Sequence, residues 1–183
     1  VTDFDSQALF GYVSLDTQQQ WQYLFSLEYQ RLLDHTPTFS SYKEFYRDWV
    51  PRVSISKTIS RSETRYFTFN YQMAYHLSES PRDLTTIAIQ DRIESVATIS
   101  YTHSFNPQWV VQPYYRFIHN HYTHQSARDD LAQSVGTLLL YTLNEYFSFR
   151  AFVAYDTRES DLPIIPDFYK IDFGAAVHFS RKF

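Results

Sequence analysis

The chain has 183 residues, enough for one domain spanning 1–183, and carries a net charge of −4 with 16 basic and 20 acidic residues interspersed rather than in blocks, which argues against nucleic acid as a partner. It has no cysteine and only three glycines, so disulfides, thiolate chemistry and a glycine-rich phosphate loop are excluded. Aromatic residues reach 19% beside 20% charged ones, and no apolar run approaches the about 20 residues of a spanning helix; a β-barrel tolerates such a composition, because only alternate residues face lipid.

A first strand is expected over about 6–15, with Ala8, Phe10 and Tyr12 on one face, closed by a polar turn at Asp16, Thr17 and the glutamines Gln18 to Gln20. From Trp21 the alternation is clean, with Trp21, Tyr23, Phe25, Leu27 and Tyr29 opposing Gln22, Ser26, Glu28 and Gln30, which reads as lipid-facing and lumen-facing sets. A long mixed segment with Pro37 follows over 34–48, and its Tyr42, Phe45, Tyr46 and Trp49 extend toward the next strand. Strand three, 50–58, places Val53 and Ile55 outward and Arg52, Ser54 and Ser56 inward, with Pro51 weakening it locally.

A tight turn over 60–63 leads into strand four, where Phe67, Phe69, Tyr71, Met73, Tyr75 and Leu77 oppose Thr68, Asn70, Gln72, Ala74 and His76. After a long connection over 78–90, strand five sets Ile93, Ala97, Ile99 and Tyr101 against Glu94, Thr98, Ser100 and Thr102, and Asn106 with Pro107 turns the chain. Strand six carries Trp109, Val111, Tyr115 and Phe117 outward and Gln112, Tyr114 and Arg116 inward. A loop over 122–132 precedes strand seven, 133–143, which is apolar on both faces and leaves its facing open. Strand eight, after Asn144 and Glu145, sets Phe147, Phe149, Ala151, Val153 and Tyr155 against Tyr146, Ser148, Arg150 and Ala154, and a loop over 156–167 leads to the last strand.

In that strand, 169–183, Tyr169, Ile171, Phe173, Ala175, Val177 and Phe179 share one parity, and Lys170, Asp172, Gly174, Ala176, His178 and Ser180 the other. Asp172, Gly174, Val177 and Phe179 follow the order polar, Gly, apolar, apolar, and the chain ends on Phe183. The segment resembles the C-terminal insertion signal of bacterial outer-membrane β-barrel proteins; the alternative from the residues alone is the edge strand of a soluble β-sandwich. The resemblance implies an antiparallel up-and-down transmembrane β-barrel in the outer membrane, with its C-terminus in the periplasm. It also implies contact with outer-membrane lipids and lipopolysaccharide and delivery by the barrel assembly machinery; an envelope protein partner belongs to the alternative of a closed platform barrel. Short turns near Asp16, Ser62, Pro107 and Asn144 would then be periplasmic, and the loops near Pro37, Pro81, Asp129 and Pro163 extracellular. Trp21, Trp109 and Phe147 would form the inner aromatic girdle, and Tyr29, Tyr75, Tyr155 and Tyr169 the outer one.

About nine strands are visible, whereas single-chain bacterial barrels have even numbers. Three resolutions are open: a strand upstream of Val1, a hidden hairpin around Tyr42, or closure by another chain; the first is preferred, making this the C-terminal part of a larger barrel. The lumen parity collects Glu28, Arg52, Asn70, Gln72, Glu94, Arg116, Arg150, Lys170 and Asp172. Mutual charge satisfaction in a narrow barrel is the simpler account of them, and an anion-favouring pore lined by Arg116, Arg150 and Lys170 the functional one. His119 and His121, on one strand face near the outer rim, form a weak divalent-metal pair, with His124 close in sequence. Asp83, Asp91, Asp129, Asp130 and His76 lie near the same rim without forming a recognisable catalytic pairing, and no cofactor is implied. The leading expectation is a pore or export conduit; the alternatives are a closed barrel serving as anchor or partner-binding platform, and a barrel hydrolase.

Overall fold

The computed structural model describes residues 3–35, 43–79, 91–123, 128–162 and 165–179. It contains nine strands, β1 (Asp3–Asp16), β2 (Trp21–His35), β3 (Lys43–Ser62), β4 (Arg65–Glu79), β5 (Arg92–Ser104), β6 (Trp109–Tyr122), β7 (Arg128–Thr142), β8 (Phe147–Ser160) and β9 (Phe168–Phe179). They form one antiparallel sheet in strict sequence order, β1 beside β2 through to β9, with no helix among the described residues. The chain is thus an all-β, up-and-down meander. The sheet is open, because β1 and β9 are its two edges.

Local chemistry sets the tight connections at one end. Gln20 takes a left-handed conformation, φ 63°, and the turn closes with the Thr17 amide donating to the Trp21 carbonyl at 2.8 Å. Asn106 and Asn144 repeat one device: the Oδ1 of Asn106 accepts from the amides of Gln108 and Trp109, and that of Asn144 from Tyr146 and Phe147, all at 2.9 Å. An Asx side chain that caps the amides beyond it replaces a missing ladder bond and turns the chain sharply. The two prolines inside strands act as their missing N–H dictates. Pro51 keeps its register with Leu27 of β2 while the β3–β4 ladder skips from Trp49 to Arg52; Pro113 stays opposite Thr137 while the β5–β6 ladder skips from Ser100 to His103.

At the opposite end the strands run further than hydrophobic alternation suggests. β3 starts at Lys43, β7 at Arg128 and β8 ends at Ser160, so the long connections expected over 34–48, 122–132 and 156–167 are shorter. Polar cross-strand bonds prolong the ladder there. Asp130, opposite Ser160, binds Arg158 at 2.8 Å, and the Asp129 amide donates to Asp161 Oδ1 at 2.9 Å. The hairpin considered around Tyr42 lies outside the described residues.

Register fixes the faces, since directly opposed residues point the same way. One face carries Leu9, Val13, Phe25, Trp49, Val53, Phe69, Met73, Ile99, Tyr115, Val135, Val153 and Phe173, all exposed. The other carries Ser26, Asp48, Val50, Ser54, Ala74, His76, Val96, Thr102, Asp130 and Ala154, all buried. Burial on the polar face with exposure on the apolar one is the reverse of a soluble half-buried sheet. The sheet therefore curls with its polar face concave. The apolar strand β7 settles accordingly: Leu131, Val135 and Leu139 take the convex face, Gly136, Leu138 and Leu140 the concave one.

Candidate functional site

All nine residues expected to share the lumen parity, Glu28, Arg52, Asn70, Gln72, Glu94, Arg116, Arg150, Lys170 and Asp172, do share the concave face. The structure brings some of them together. Arg52 Nη1 reaches Glu28 Oε2 at 3.5 Å, and Lys170 Nζ lies 3.1 Å from Asp172 and 3.6 Å from Asp156. Arg116 and Arg150 have no ion-pair partner among the described residues.

Two charge networks close the long-loop end of this face. Asp130, 2% exposed, receives Arg158 at 2.8 Å and Arg128 at 3.4 Å, and Arg128 also stacks 3.8 Å above the Tyr122 ring. Burial by itself would raise the Asp130 carboxyl, but hydrogen bonds from Ser160 and Arg158 and the charges of Arg128 and Arg158 hold it below the ordinary carboxylate value. In the second network Asp48 Oδ2 lies 2.8 Å from His76 Nδ1, and Arg92 Nη2 lies 3.3 Å from His76 Nε2. This is the acid and imidazole of a catalytic dyad. Its outer nitrogen, however, accepts from a guanidinium where a nucleophile's hydroxyl would stand. His76 bridges the two, its Nδ1 toward the Asp48 carboxylate and its Nε2 toward Arg92, which can only donate.

Between those networks and the short-turn end, two aromatic rings divide the concavity. Tyr114 lies directly across from Gly136, and Phe152 directly across from Gly174. A Cβ on Gly136 would sit 2.8 Å from the Tyr114 ring and hydroxyl, and one on Gly174 would sit 2.6 Å from the Phe152 ring. Each ring therefore closes on a glycine, the close approach that only a missing side chain permits. On the short-turn side of the rings is a cavity of about 570 Å³ lined by Thr98, Ser100, Gln112, Leu138, Arg150 and Ala176, among others. On the long-loop side is one of about 320 Å³ lined by Arg116, Ser134, Asp156, Lys170 and Asp172. Both touch Tyr114 and Phe152. Strands from β5 to β9 line the first cavity together, as the curl requires.

On the convex face the apolar band covers 21–29 on β2, 49–59 on β3, 67–77 on β4, 93–101 on β5, 109–117 on β6, 131–141 on β7, 147–155 on β8 and 169–179 on β9. These are spans of about nine to eleven residues, the length with which a tilted strand crosses a bilayer core. Trp21, Trp109 and Phe147 lie at its short-turn edge. Lys57 Nζ sits 4.4 Å above the Trp21 ring, Trp109 packs 4.4 Å from Tyr141, and Phe147 packs 5.0 Å from Phe179. Tyr29, Tyr75, Tyr155 and Tyr169 lie toward the long-loop edge, where Tyr29 packs 4.5 Å from Trp49. Polar atoms within the band are served by tyrosine hydroxyls: Tyr115 donates to Gln133 at 2.9 Å, and Tyr71 reaches Ser95 at 3.5 Å. Of the insertion-signal residues, Asp172 and Gly174 face the concavity and Val177 and Phe179 the convex side; Phe183 lies outside the described residues.

His119 and His121 stand on the convex face at the long-loop edge of the band, opposite Ser95 and Ile93 of β5, and β7 supplies the carboxylate that sequence spacing left out. Asp129 Oδ1 lies 2.7 Å from His119 Nε2 and 2.9 Å from His121 Nδ1. Those bonds, His121's first, and the charges behind them hold the Asp129 carboxyl below its ordinary value. This is a hydrogen-bonded triad with imidazoles donating, and among the described residues no group of three or more ligating side chains is arranged to hold a metal ion. Asp91 serves the backbone instead, accepting from the Ser78 amide at 2.7 Å and its hydroxyl at 2.9 Å. Asp83 and His124 lie outside the described residues. Sequence reading missed Phe152, Asp156 and Arg158 on the concave face; the signal for Phe152 was its parity with Arg150.

No family model and no curated protein matches the chain.

Proposed function

We propose that this chain forms the wall of an integral β-barrel in a bacterial outer membrane and serves as a narrow conduit for small polar solutes. One observation carries the reading: a contiguous sheet whose convex face is an apolar band of bilayer width and whose concave face carries the charged and polar residues and lines two open cavities. A soluble β-sandwich would bury the apolar face instead. In the barrel, outer-membrane lipid, including lipopolysaccharide, contacts the band between its aromatic edges, the short turns lie in the periplasm, and the barrel assembly machinery takes the last strand. Tyr114 and Phe152 are the constriction, since among the described residues they are the two that line both cavities.

A second reading, a closed barrel acting as membrane anchor or partner platform, is favoured by the Asp48–His76–Arg92 and Arg128–Asp130–Arg158 networks, which cross the concave face at its outer end. Reconstitution into planar lipid bilayers separates the two. The conduit reading expects steady unitary conductance that grows when Tyr114 and Phe152 are both changed to Ala. A protein that inserts, resists protease and stays silent in both forms overturns the conduit and leaves the anchor. A protein that never enters vesicles overturns both.

A further inference from the structure

We propose that the cavity on the short-turn side of Tyr114 and Phe152 is a binding site for a small organic anion, a carboxylate with an apolar body, in which Arg150 is the counter-charge. The inference rests on the conduit reading for its route of access, and on the cavity alone for its chemistry. The cavity holds about 570 Å³, within the range of small-molecule sites. Its wall divides in two. Tyr114, Leu138 and Phe152 supply an apolar side, while Gln112, Ser100 and Thr98 supply an amide and two hydroxyls.

Among the described residues Arg150 is the one charged side chain in that lining, and it has no ion-pair partner there. The residues directly opposite it are Leu140 on β7 and Ala176 on β9, and its neighbours on the same face of β8 are Ser148 and Phe152. The contrast with the other cavity is what gives the assignment its direction. There Lys170 lies between Asp156 at 3.6 Å and Asp172 at 3.1 Å, and Arg116, though it has no ion-pair partner among the described residues, shares its lining with those two carboxylates, which oppose an incoming anion. A guanidinium facing an apolar-walled cavity with no carboxylate in reach is arranged to take an oxyanion as a forked pair of hydrogen bonds. Gln112, 3.4 Å from Ser100, lines the same cavity from β6 and can serve a second polar group.

The test uses sodium benzoate as the probe, with benzyl alcohol as its uncharged counterpart, on the full chain folded in detergent micelles. Titration calorimetry is expected to show saturable benzoate binding that weakens at least tenfold in Arg150→Gln and is largely kept in Arg150→Lys. Benzyl alcohol is expected to bind the wild type and Arg150→Gln alike. Lys170→Gln controls for charge elsewhere on the same face and should leave benzoate affinity within about twofold, as expected for a screened, already paired cation. Equal benzoate binding by the wild type and a folded Arg150→Gln overturns the inference, as does no binding by the wild type. Because calorimetry needs no open channel, a silent bilayer recording would overturn the conduit reading while leaving this result to stand or fall separately.

Discussion

Gly136 shows how a single missing atom shapes the concave face. A Cβ built there meets the Val153 carbonyl oxygen at 2.7 Å as well as the Tyr114 ring, and the backbone atom has nowhere to go. Gly136→Ala is therefore expected to destabilise the folded protein by about 1–3 kcal/mol, the usual cost of overpacking, and to displace Tyr114. Gly11→Ala is the control, because nothing lies within 4 Å of a Cβ at that position, and replacing a strand glycine with Ala there should be neutral or slightly stabilising. Equilibrium urea unfolding of both variants in lipid vesicles reads the difference; equal stabilities would mean that the Tyr114 ring does not rest on the glycine. The same scale holds a prediction for His76. Asp48→Ala removes the acceptor of its Nδ1–H and leaves a buried donor unpaired, which costs about 1–3 kcal/mol, and the same unfolding assay should report that loss while bilayer insertion is retained.

Among the elements, β6, β7 and β8 illustrate why strand ends were harder to read than strand centres. Alternation reveals β2 and β4, where every second residue is large and apolar, but it stops at the edge of the band. Beyond it the ladder is held by Asp129, Asp130, Arg158 and their partners, whose types look like loop residues in a linear reading. Which strand would deliver a carboxylate to His119 and His121 was equally hidden, because Asp129 reaches them through the β6–β7 register and not through spacing. The facing of β7 was illegible for a different reason: Leu138 and Leu140 line the concavity beside Leu139 on the other face, so local pattern carries no parity. The rim network makes a pH prediction. Both Asp129 and Asp130 have carboxyls lowered from 3.8 in the folded state, so their contribution to stability is fully present above that value and is lost as pH falls through the lower, folded ones. Amide exchange of 119–122 and 128–131, corrected for intrinsic rates, should stay protected down to about that pH and loosen below it, while 133–141 remains protected. Asp129→Asn combined with Asp130→Asn should remove the pH step, and a rim that loosens near neutral pH would contradict the assignment.

For the whole molecule, direction matters more than strand count. In a nine-stranded meander the first and last strands run the same way, so β1 and β9 could meet only in parallel. Their edges are open: Tyr169 and Phe173 on β9 are 79% and 78% exposed, against 36% for Ile93 on the interior strand β5. In hydrocarbon, each unpaired edge N–H or C=O costs several kcal/mol, and two such edges together would outweigh the stability of an ordinary domain. In the proposed barrel both edges must therefore be paired, and a single further strand running opposite to β1 and β9 would pair with both in antiparallel fashion and bring the total to an even number. Spacing tests this directly. Neighbouring strands lie about 4.8 Å apart, so one intervening strand sets β1 and β9 about 10 Å apart, beyond the Cα reach of a disulfide. A panel of single cysteines at Leu9, Gly11 and Val13, each combined with one at Ile171, Phe173 or Ala175, should yield no spontaneous cross-link in vesicles, while the edge amides of both strands are protected from exchange. Cross-linking at one register would mean direct parallel closure, and rapid exchange of the edge amides in the membrane would mean that the sheet does not close, which removes the barrel itself.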